Sequence, residues 1–425
     1  MARIVIVGAG VGGVPAALEM RHHARKEDEV MVVADTPTFH FTPSNPWVGF
    51  GWRKPDKIKV ALAPMFARKK ITFVQQAVAR VHPKENRLEL KDGSSVAYDY
   101  LVLATGPRLA FDEIVGLGPH DGFTKSVCHV DHAAETYQAW EAFCTAPGPL
   151  VIGAAQGASC FGPAYEYLLQ ADTDLRRRKL RDKVPITYVT SEPYIGHLGL
   201  GGVGDSKGLL ESAFRDKTVR WICNAKIQKV EDGKMTVLEC DDEGKDKKVH
   251  ELPFKHSMIL PAFTGVDAVR GVEGLVNPRG FVLINDKQQN PTFTNVYAVG
   301  VCVAIAPKEP TPVPTGIPKT GVMIEAMAVA AAVNIRSQLD GAQPQRVPEW
   351  NALCAADTGD GNSMGFVAIP QIPPRNVTIA KRGIWVHWGK IVFEKYFLRK
   401  IRNGVSAPFY EKLGLAMMGY RTLKK

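Results

Sequence analysis

Residues 8–13, Gly-Ala-Gly-Val-Gly-Gly, follow the apolar run Ile4–Val7 directly and open a stretch of helical pattern, Val11–Arg25. This strand, glycine turn and helix form G-x-G-x-x-G, which commits the N-terminal region to a doubly wound α/β fold. Gly8 permits the turn, Gly10 lets a pyrophosphate approach bare backbone, and Gly13 lets helix and strand pack closely. A second strand, Glu29–Val33, leads to Asp35, the candidate ribose-binding acid, although a turn-forming role before Pro37 fits that residue equally well.

Further strands are expected at Ile71–Val81, Arg87–Leu90 and Tyr100–Ala104, the last running into Thr105 and Gly106. A second βα unit starts near Pro149: a strand at Leu150–Ile152, a helix from about Ser159, and strands at Ile186–Val189, Val219–Ile222 and Ser257–Leu260. A hairpin meander is expected between Lys226 and Leu252. Strand pattern returns at Gly280–Leu283 and Val296–Val299, followed by a helix over Val322–Arg336. The Gly/Gln/Pro-rich linker Leu339–Pro348 separates a C-terminal module. The resulting division assigns 1–110 with 275–338 to a cofactor-binding domain, 111–274 to a second Rossmann-like domain, and 339–425 to the C-terminal module.

Two later segments point to FAD at the first turn. Tyr100-Leu-Val-Leu-Ala-Thr-Gly106 matches the strand-then-A-T-G element of flavoproteins with two dinucleotide-binding domains, and Val296-Tyr-Ala-Val-Gly300 resembles their second FAD segment. Those proteins continue with an acid where this chain has Val301, so a carboxylate contact to the cofactor is missing. The run Pro318–Gly321, with Lys319, precedes a helix whose N-terminus would stabilise negative charge on a reduced flavin. The turn expected to hold a nicotinamide donor reads Gly153-Ala-Ala-Gln-Gly-Ala158. It lacks the middle glycine, so a pyrophosphate would meet Cβ atoms and NAD(P)H is not the expected reductant.

The seven cysteines form no C-x-x-C pair, which argues against zinc knuckles, thioredoxin chemistry and iron–sulfur clusters; no metal site is expected. Cys144, Cys223, Cys240 and Cys302 read as small buried hydrophobes. Cys160 is different: at the start of the expected helix, with Ser159 as a cap, the dipole would favour its thiolate. Cys128 and Cys354 stand in settings that also suit thiol chemistry. His132, His197 and Glu166 are candidate proton acceptors, against the ordinary reading of a lone histidine as a satisfied core residue.

The formal net charge is +10, and the excess is concentrated after Ile384, where nine basic residues face only Glu394 and Glu411. Phe393, Tyr396, Phe397 and Ile401 share one face of an expected helix, Lys390–Arg402. A basic amphipathic tail of this kind suits a lipid interface; the plainer reading is a pair of surface helices. Charge confined to an apolar-faced tail argues against a nucleic-acid partner. Neither a signal peptide nor a spanning segment is expected, and Gly321–Ile335 reads as a packed helix.

With these residues assembled, the chain resembles the sulfide:quinone oxidoreductases over almost its whole length. The resemblance rests on the opening glycine turn, Pro43-Ser-Asn-Pro-Trp-Val-Gly49, Tyr100–Pro107, Gly157-Ala-Ser-Cys-Phe-Gly-Pro-Ala-Tyr165, Ser191–Gly199, Thr311-Pro-Val-Pro-Thr-Gly316, Trp350-Asn-Ala-Leu-Cys354 and Phe393-Glu-Lys-Tyr-Phe397. It implies two Rossmann-like domains with a C-terminal amphipathic helical module for membrane attachment. It also implies FAD, hydrogen sulfide and a membrane quinone as partners, and peripheral, monotopic attachment to a cytoplasmic membrane; a homo-oligomer is compatible. By resemblance, Cys160 and Cys354 form the sulfur-bridged pair and Cys128 is the third thiol. The expected cofactor contacts are Gly8, Gly10, Gly13, Asp35, Pro43, Ala77, Val78, Thr105, Gly106, Gly300, Val301, Lys319 and Gly321. Phe393 and Tyr410 are the expected quinone contacts. A type II NADH:quinone oxidoreductase, a flavocytochrome sulfide dehydrogenase subunit and a non-catalytic flavin-binding module with a basic tail are the alternatives.

Overall fold

A computed structural model describes residues 1–307, 309–417 and 419–424, without the side chains of Phe409, Tyr410, Lys412 and Leu415. Its first layer is a five-stranded parallel sheet in the order Val296–Ala298, Tyr100–Leu103, Arg3–Val7, Glu29–Ala34, Thr72–Gln75. Central strands such as Ile4–Val7 are buried on both faces, as expected of continuous β-branched runs in a parallel sheet. The glycine turn follows the middle strand. A Cβ on Gly13 would stand 1.9 Å from the carbonyl oxygen of Gly8, so nothing larger lets the helix Gly13–His23 dock there. Gly8 itself has φ +101, and a Cβ on it would meet the Ala104 carbonyl oxygen at 2.3 Å.

The helix Gly321–Leu339 packs against the helix Gly13–His23 on this sheet. Its alanines permit close approach, and Met323, Ile324, Met327 and Ile335 are buried in the main core. By length and composition it could cross a membrane, but more than half of it is buried inside the protein, so it is read as a core helix.

The second layer is a four-stranded parallel sheet, Val219–Ile222, Ile186–Thr190, Leu150–Ala154, His256–Leu260. An antiparallel meander, Ala225–Glu231, Lys234–Cys240 and Asp246–Pro253, adjoins it. Arg108–Leu109 pairs antiparallel with Phe263–Thr264, where the chain leaves one parallel sheet and later returns from the other.

Three expectations fail. The run Ile71–Val81 is two strands: Thr72–Gln75 stays in the parallel sheet, while Val78–His82 pairs with Arg87–Leu90 in a separate antiparallel sheet. Gly280–Leu283 is not a strand; only Val282 bridges, to Val276 and Val303. The C-terminal module is not purely helical, because Ala352–Ala356, Met364–Ile369 and Val377–Arg382 form an antiparallel sheet before the helix. That helix, Ile384–Arg402, begins six residues ahead of the expected start and is followed by a short helix, Phe409–Met417.

Candidate active site

The expected cofactor contacts gather at one edge, the C-terminal ends of the five parallel strands, where doubly wound sheets bind ligands. Gly8–Gly13 follow the strand Arg3–Val7, and Asp35 stands exposed one residue beyond Glu29–Ala34. Ala77 and Val78 follow Thr72–Gln75, Thr105 and Gly106 follow Tyr100–Leu103, and Gly300 and Val301 follow Val296–Ala298. Pro43 lies apart, in the turn Thr42–Ser44.

Room for a ligand can be tested with the glycines. Added Cβ atoms at Gly10, Gly106 and Gly321 would meet nothing within 4 Å, unlike those at Gly8 and Gly13. The chain leaves backbone facing open space where a dinucleotide would lie. Gly321 starts its helix without a side-chain cap, because the Thr320 hydroxyl donates to the Asn351 carbonyl oxygen at 2.9 Å. The first-turn amides are therefore available to an anion. Beside them Lys319 is desolvated, which lowers its ammonium to about 8. The residues fit a flavin dinucleotide, with Val301 supplying no carboxylate.

Cys354 lies near this edge, because its strand Ala352–Ala356 follows Asn351, whose carbonyl oxygen accepts from the Thr320 hydroxyl at the start of the helix Gly321–Leu339. Burial pushes Cys160 up to about 12, with a further upward push from Cys128 and Cys354, so both of these lie within electrostatic reach of Cys160. Cys128 and Cys354 are each raised to about 11 by burial. Cys354 is nonetheless open to solvent. It stands on the strand Ala352–Ala356.

The expected helix-dipole activation of Cys160 does not hold. The helix starts at Gly162 with Phe161 at the cap position and no capping side chain, so Cys160 precedes it and Ser159 caps nothing. A helix terminus contributes about 0.3–1 kcal/mol, less than one pKa unit. Desolvation outweighs it.

The proton acceptors also differ from expectation. His132 lies edge-on to His120 and His129, and burial with those neighbours lowers it to about 4. It lines a cavity of about 430 Å³ with Arg108, Phe111 and His129. Burial likewise lowers His197, and the Nδ1 atoms of both histidines are buried without a hydrogen-bond partner among the described residues. Neutral imidazoles of this kind are poor bases for thiols raised to 11 or 12. Glu166 is not turned to the thiols: its carboxylate accepts from Lys390 Nζ and from Gln170 Nε2, and burial raises it to about 7.

The sequence and structure of this chain match known proteins at full length. The pyridine nucleotide-disulphide oxidoreductase family model matches residues 2–332. A sulfide-quinone reductase of Aquifex aeolicus (strain VF5) is 41% identical over 411 residues, covering 96% of this chain and 93% of that protein. The chain belongs to the sulfide:quinone oxidoreductase family. The X-ray structure of the sulfide:quinone oxidoreductase from Aquifex aeolicus superposes with a TM-score of 0.93 at 40% identity, covering 98% of this chain and 95% of that one. NDH2 from Plasmodium falciparum, solved in complex with NADH, shares the fold alone, with a TM-score of 0.70 at 13% identity and both chains fully covered. The chain is thus a flavin-dependent oxidoreductase enzyme.

Within this family frame, the second glycine turn is covered as well as altered. Gly157 N–H donates to the Pro314 carbonyl oxygen at 2.7 Å, and Gly316 N–H to that of Ala158 at 2.8 Å. The segment Thr311–Gly316 therefore lies across the turn, anchored by Val313, which is buried against Leu238 and Cys240. Cys240 and Cys302 are structural, as expected; the Cys302 thiol donates to the carbonyl oxygens of Leu103 and Val299.

The C-terminal helix keeps Phe397 and Ile401 on one face as expected, but that face is packed inward and buries charged residues with them. Its inner face holds Lys390, Glu394 and Lys400 together with Phe397 and Ile401, and Phe397 packs on Phe39 and Phe41. Its outer face exposes Trp385 (59%), Trp388 (60%) and Val392 (64%). Phe393 bridges the two faces, half-exposed and 5.8 Å from the Phe41 ring. The side chain of Tyr410 lies outside the described residues. Sequence reasoning missed Lys390, Trp385 and Trp388, although Trp385, Trp388 and Val392 recur at helical spacing.

Proposed function

We propose that the protein oxidises hydrogen sulfide to sulfane sulfur and passes the electrons through FAD to a membrane quinone. What supports this reading is that Cys128 and Cys354 both lie within electrostatic reach of Cys160, in a chain whose strand-end edge has room for a dinucleotide. The division into 1–110 with 275–338, 111–274 and 339–425 is part of the proposal.

FAD would be held by Gly8, Gly10 and Gly13 at its pyrophosphate and by Asp35 at its ribose. Thr105, Gly106, Gly300, Lys319 and Gly321 would serve nearer the ring, and bound FAD would accept two electrons and hand them to quinone. The chain's own part begins with hydrosulfide attacking the S–S bond of an oxidised Cys160–Cys354 pair. That bond breaks, leaving one sulfur as a persulfide and the other as a thiolate. Restoring the bridge releases two electrons, and the sulfur atom stays on as sulfane sulfur. Cys128 is the third thiol that can carry it away. His132 and His197 are kept neutral by burial, and hydrosulfide, already present at neutral pH, needs neither of them to take its proton before it attacks. Their low basicity leaves later deprotonation to the thiolate itself.

Membrane attachment belongs to the same reading. Leu353, Ile379, Ile384, Trp385, Trp388, Val392, Leu413 and Met417 are all exposed on the C-terminal module. Solvated faces do not ordinarily collect such a patch, whereas aromatic and aliphatic residues of this kind lie well at a lipid surface. Phe393, between that patch and the interior, is the quinone contact supported best. An NADH-oxidising role is disfavoured because Thr311–Gly316 covers the second turn.

The test is anaerobic. Sulfide added to flavin-loaded protein is expected to bleach the flavin, and a short-chain quinone to restore it. Cys160→Ser and Cys354→Ser are each expected to abolish the bleaching. Full sulfide-driven reduction in either variant would remove the thiol mechanism, while bleaching by NADH would favour the alternative enzyme.

A further inference from the structure

A second cavity, of about 240 Å³, is lined by no cysteine among the described residues, and its lining includes Trp47, Trp52, Arg53, Arg177, Asp357 and His387. Neither the thiol chemistry nor the cofactor edge uses it. Arg177 lies over the Trp52 ring at 4.9 Å and donates to the Gly359 carbonyl oxygen at 2.5 Å. Among the described residues it has no carboxylate partner. Arg53 lies over the Trp47 ring at 4.4 Å. Its Nε donates to Glu394 and its Nη1 to the Trp52 carbonyl oxygen, which leaves Nη2 spare. The two guanidinium groups are held over indole rings with donors left over, which reduces the entropy lost when an oxyanion binds.

The carboxylate in the wall is already committed. Asp357 accepts from Trp47 Nε1 at 2.7 Å, Ser363 Oγ at 2.6 Å, Gly359 N at 3.1 Å and His387 Nδ1 at 2.9 Å. That last contact fixes the His387 ring with its proton on Nδ1, so that Nε2 is a third donor to an oxyanion in the imidazolium form. His387 is on the helix that exposes Trp385, Trp388 and Val392, so the cavity opens beside the apolar patch. Donors at the border of such a patch stand at head-group level when the patch rests on lipid.

We propose that this cavity binds the phosphate of an anionic phospholipid, with Arg53, Arg177 and His387 as the contacts. This rests on the reading that the C-terminal module lies on a membrane. Arg–phosphate pairs are bidentate and charge-assisted, so recognition goes beyond general attraction of a basic tail to negative charge. Inorganic phosphate offers the same chemistry from solution.

The experiment uses the full flavin-loaded chain and three vesicle types. One is phosphatidylcholine alone; the others have equal negative surface charge, from phosphatidylglycerol or from oleate. The protein is expected to bind phosphatidylglycerol vesicles roughly tenfold more tightly than oleate vesicles. Arg177→Gln and His387→Gln are each expected to erase that preference while leaving binding to oleate vesicles in place, and flavin content reports that each variant is folded. Arg177→Lys is expected to restore only part of it, since an ammonium lacks the planar fork. Equal affinity for the two charged vesicles, or variants that weaken both alike, would overturn the phosphate site. Binding to phosphatidylcholine would still support the membrane reading. Failure on all vesicles would remove both. Arg177-dependent binding of inorganic phosphate with no vesicle preference would overturn the lipid assignment.

Discussion

The ammonium of Lys390 donates to Glu166 Oε1 in the interior, joining the helix that follows Cys160 to the helix that carries Phe393. Both partners are almost fully buried, and Lys390 also lies 4.8 Å from the Trp47 ring. Breaking a buried pair costs about 3–5 kcal/mol, because it strands the remaining charge. The two single breaks are not equivalent. With its carboxyl already raised to about 7, Glu166 can take up a proton cheaply when Lys390 is lost. An ammonium stranded by loss of Glu166 can escape only by giving up its proton, which at pH 6.5 costs more because lysine ordinarily holds it up to about 10.4. At pH 6.5, Glu166→Gln is therefore expected to lower the urea midpoint more than Lys390→Met, and the double variant to recover part of the loss. Equal losses would mean that Glu166 is fully ionised in the folded protein.

The glycine turn separates folding from cofactor binding. A Cβ on Gly13 collides with the Gly8 carbonyl, so Gly13→Ala is expected to give little folded protein. A Cβ on Gly10 meets nothing in the chain itself. Gly10→Ala is thus expected to fold with a native far-ultraviolet spectrum but to retain much less flavin after gel filtration. Full flavin retention would place the pyrophosphate elsewhere.

The thiols supply a pH profile. Alkylation requires thiolate, and the folded-state values of Cys160 and Cys354 are raised, to about 12 and about 11. In reduced, flavin-free protein, iodoacetamide labelling is expected to be slow at pH 8 and to rise roughly tenfold per pH unit above that. Cys354, which is open to solvent, is expected to label before Cys160. Mass spectrometry of tryptic peptides reads both. Rapid labelling of Cys160 at pH 7 would require an activating partner that its surroundings do not show.

How far the sequence could be read depended on whether a residue's environment was local. The strand ends at Gly8, Asp35, Thr105 and Gly300 were legible because a buried parallel strand announces itself by continuous apolar character and a glycine at its end. The split at Ala77 was not, since Val74 and Val78 belong to one apolar run and only pairing partners tell their sheets apart. Lys390 was invisible because a lysine in a helical pattern reads as solvated, and its partner lies 224 positions upstream. The dipole argument at Cys160 failed for a similar reason. The strength of the dipole could be judged from the sequence, whereas the larger cost of burial, and the added push from Cys128 and Cys354, arise only from tertiary packing.

Glu192 offers a cleaner linkage test than Glu166, because none of its contacts is a cation. It accepts from Tyr165 Oη at 2.7 Å, Thr190 Oγ1 at 2.8 Å and Leu198 N at 2.6 Å, yet burial raises it to about 7. Between about pH 4.5 and 7 the folded chain holds a proton there that the unfolded chain has released, so stability falls as pH rises through that window. The full effect is about 3 kcal/mol at most. Glu192→Gln cannot ionise, so wild type is expected to lose stability relative to it between pH 5 and pH 8. A constant difference across that range would mean that the carboxylate is charged throughout.

The membrane-facing patch can be distinguished from the basic tail by salt. If the net charge of +10 carried attachment, binding to vesicles would collapse near 1 M salt, where the Debye length is about 3 Å. Burial of apolar surface is not screened. Trp385 and Trp388 are each more than half exposed, so transferring both to lipid is worth roughly 2–3 kcal/mol, or about 30- to 150-fold in partitioning. Binding to phosphatidylcholine vesicles is accordingly expected to persist at high salt in wild type. In the Trp385→Ser, Trp388→Ser double variant it is expected to fall by about that factor, while flavin reduction by sulfide in solution continues. Co-sedimentation across a salt series measures this directly. Unchanged binding in the double variant would move the lipid contact off this helix.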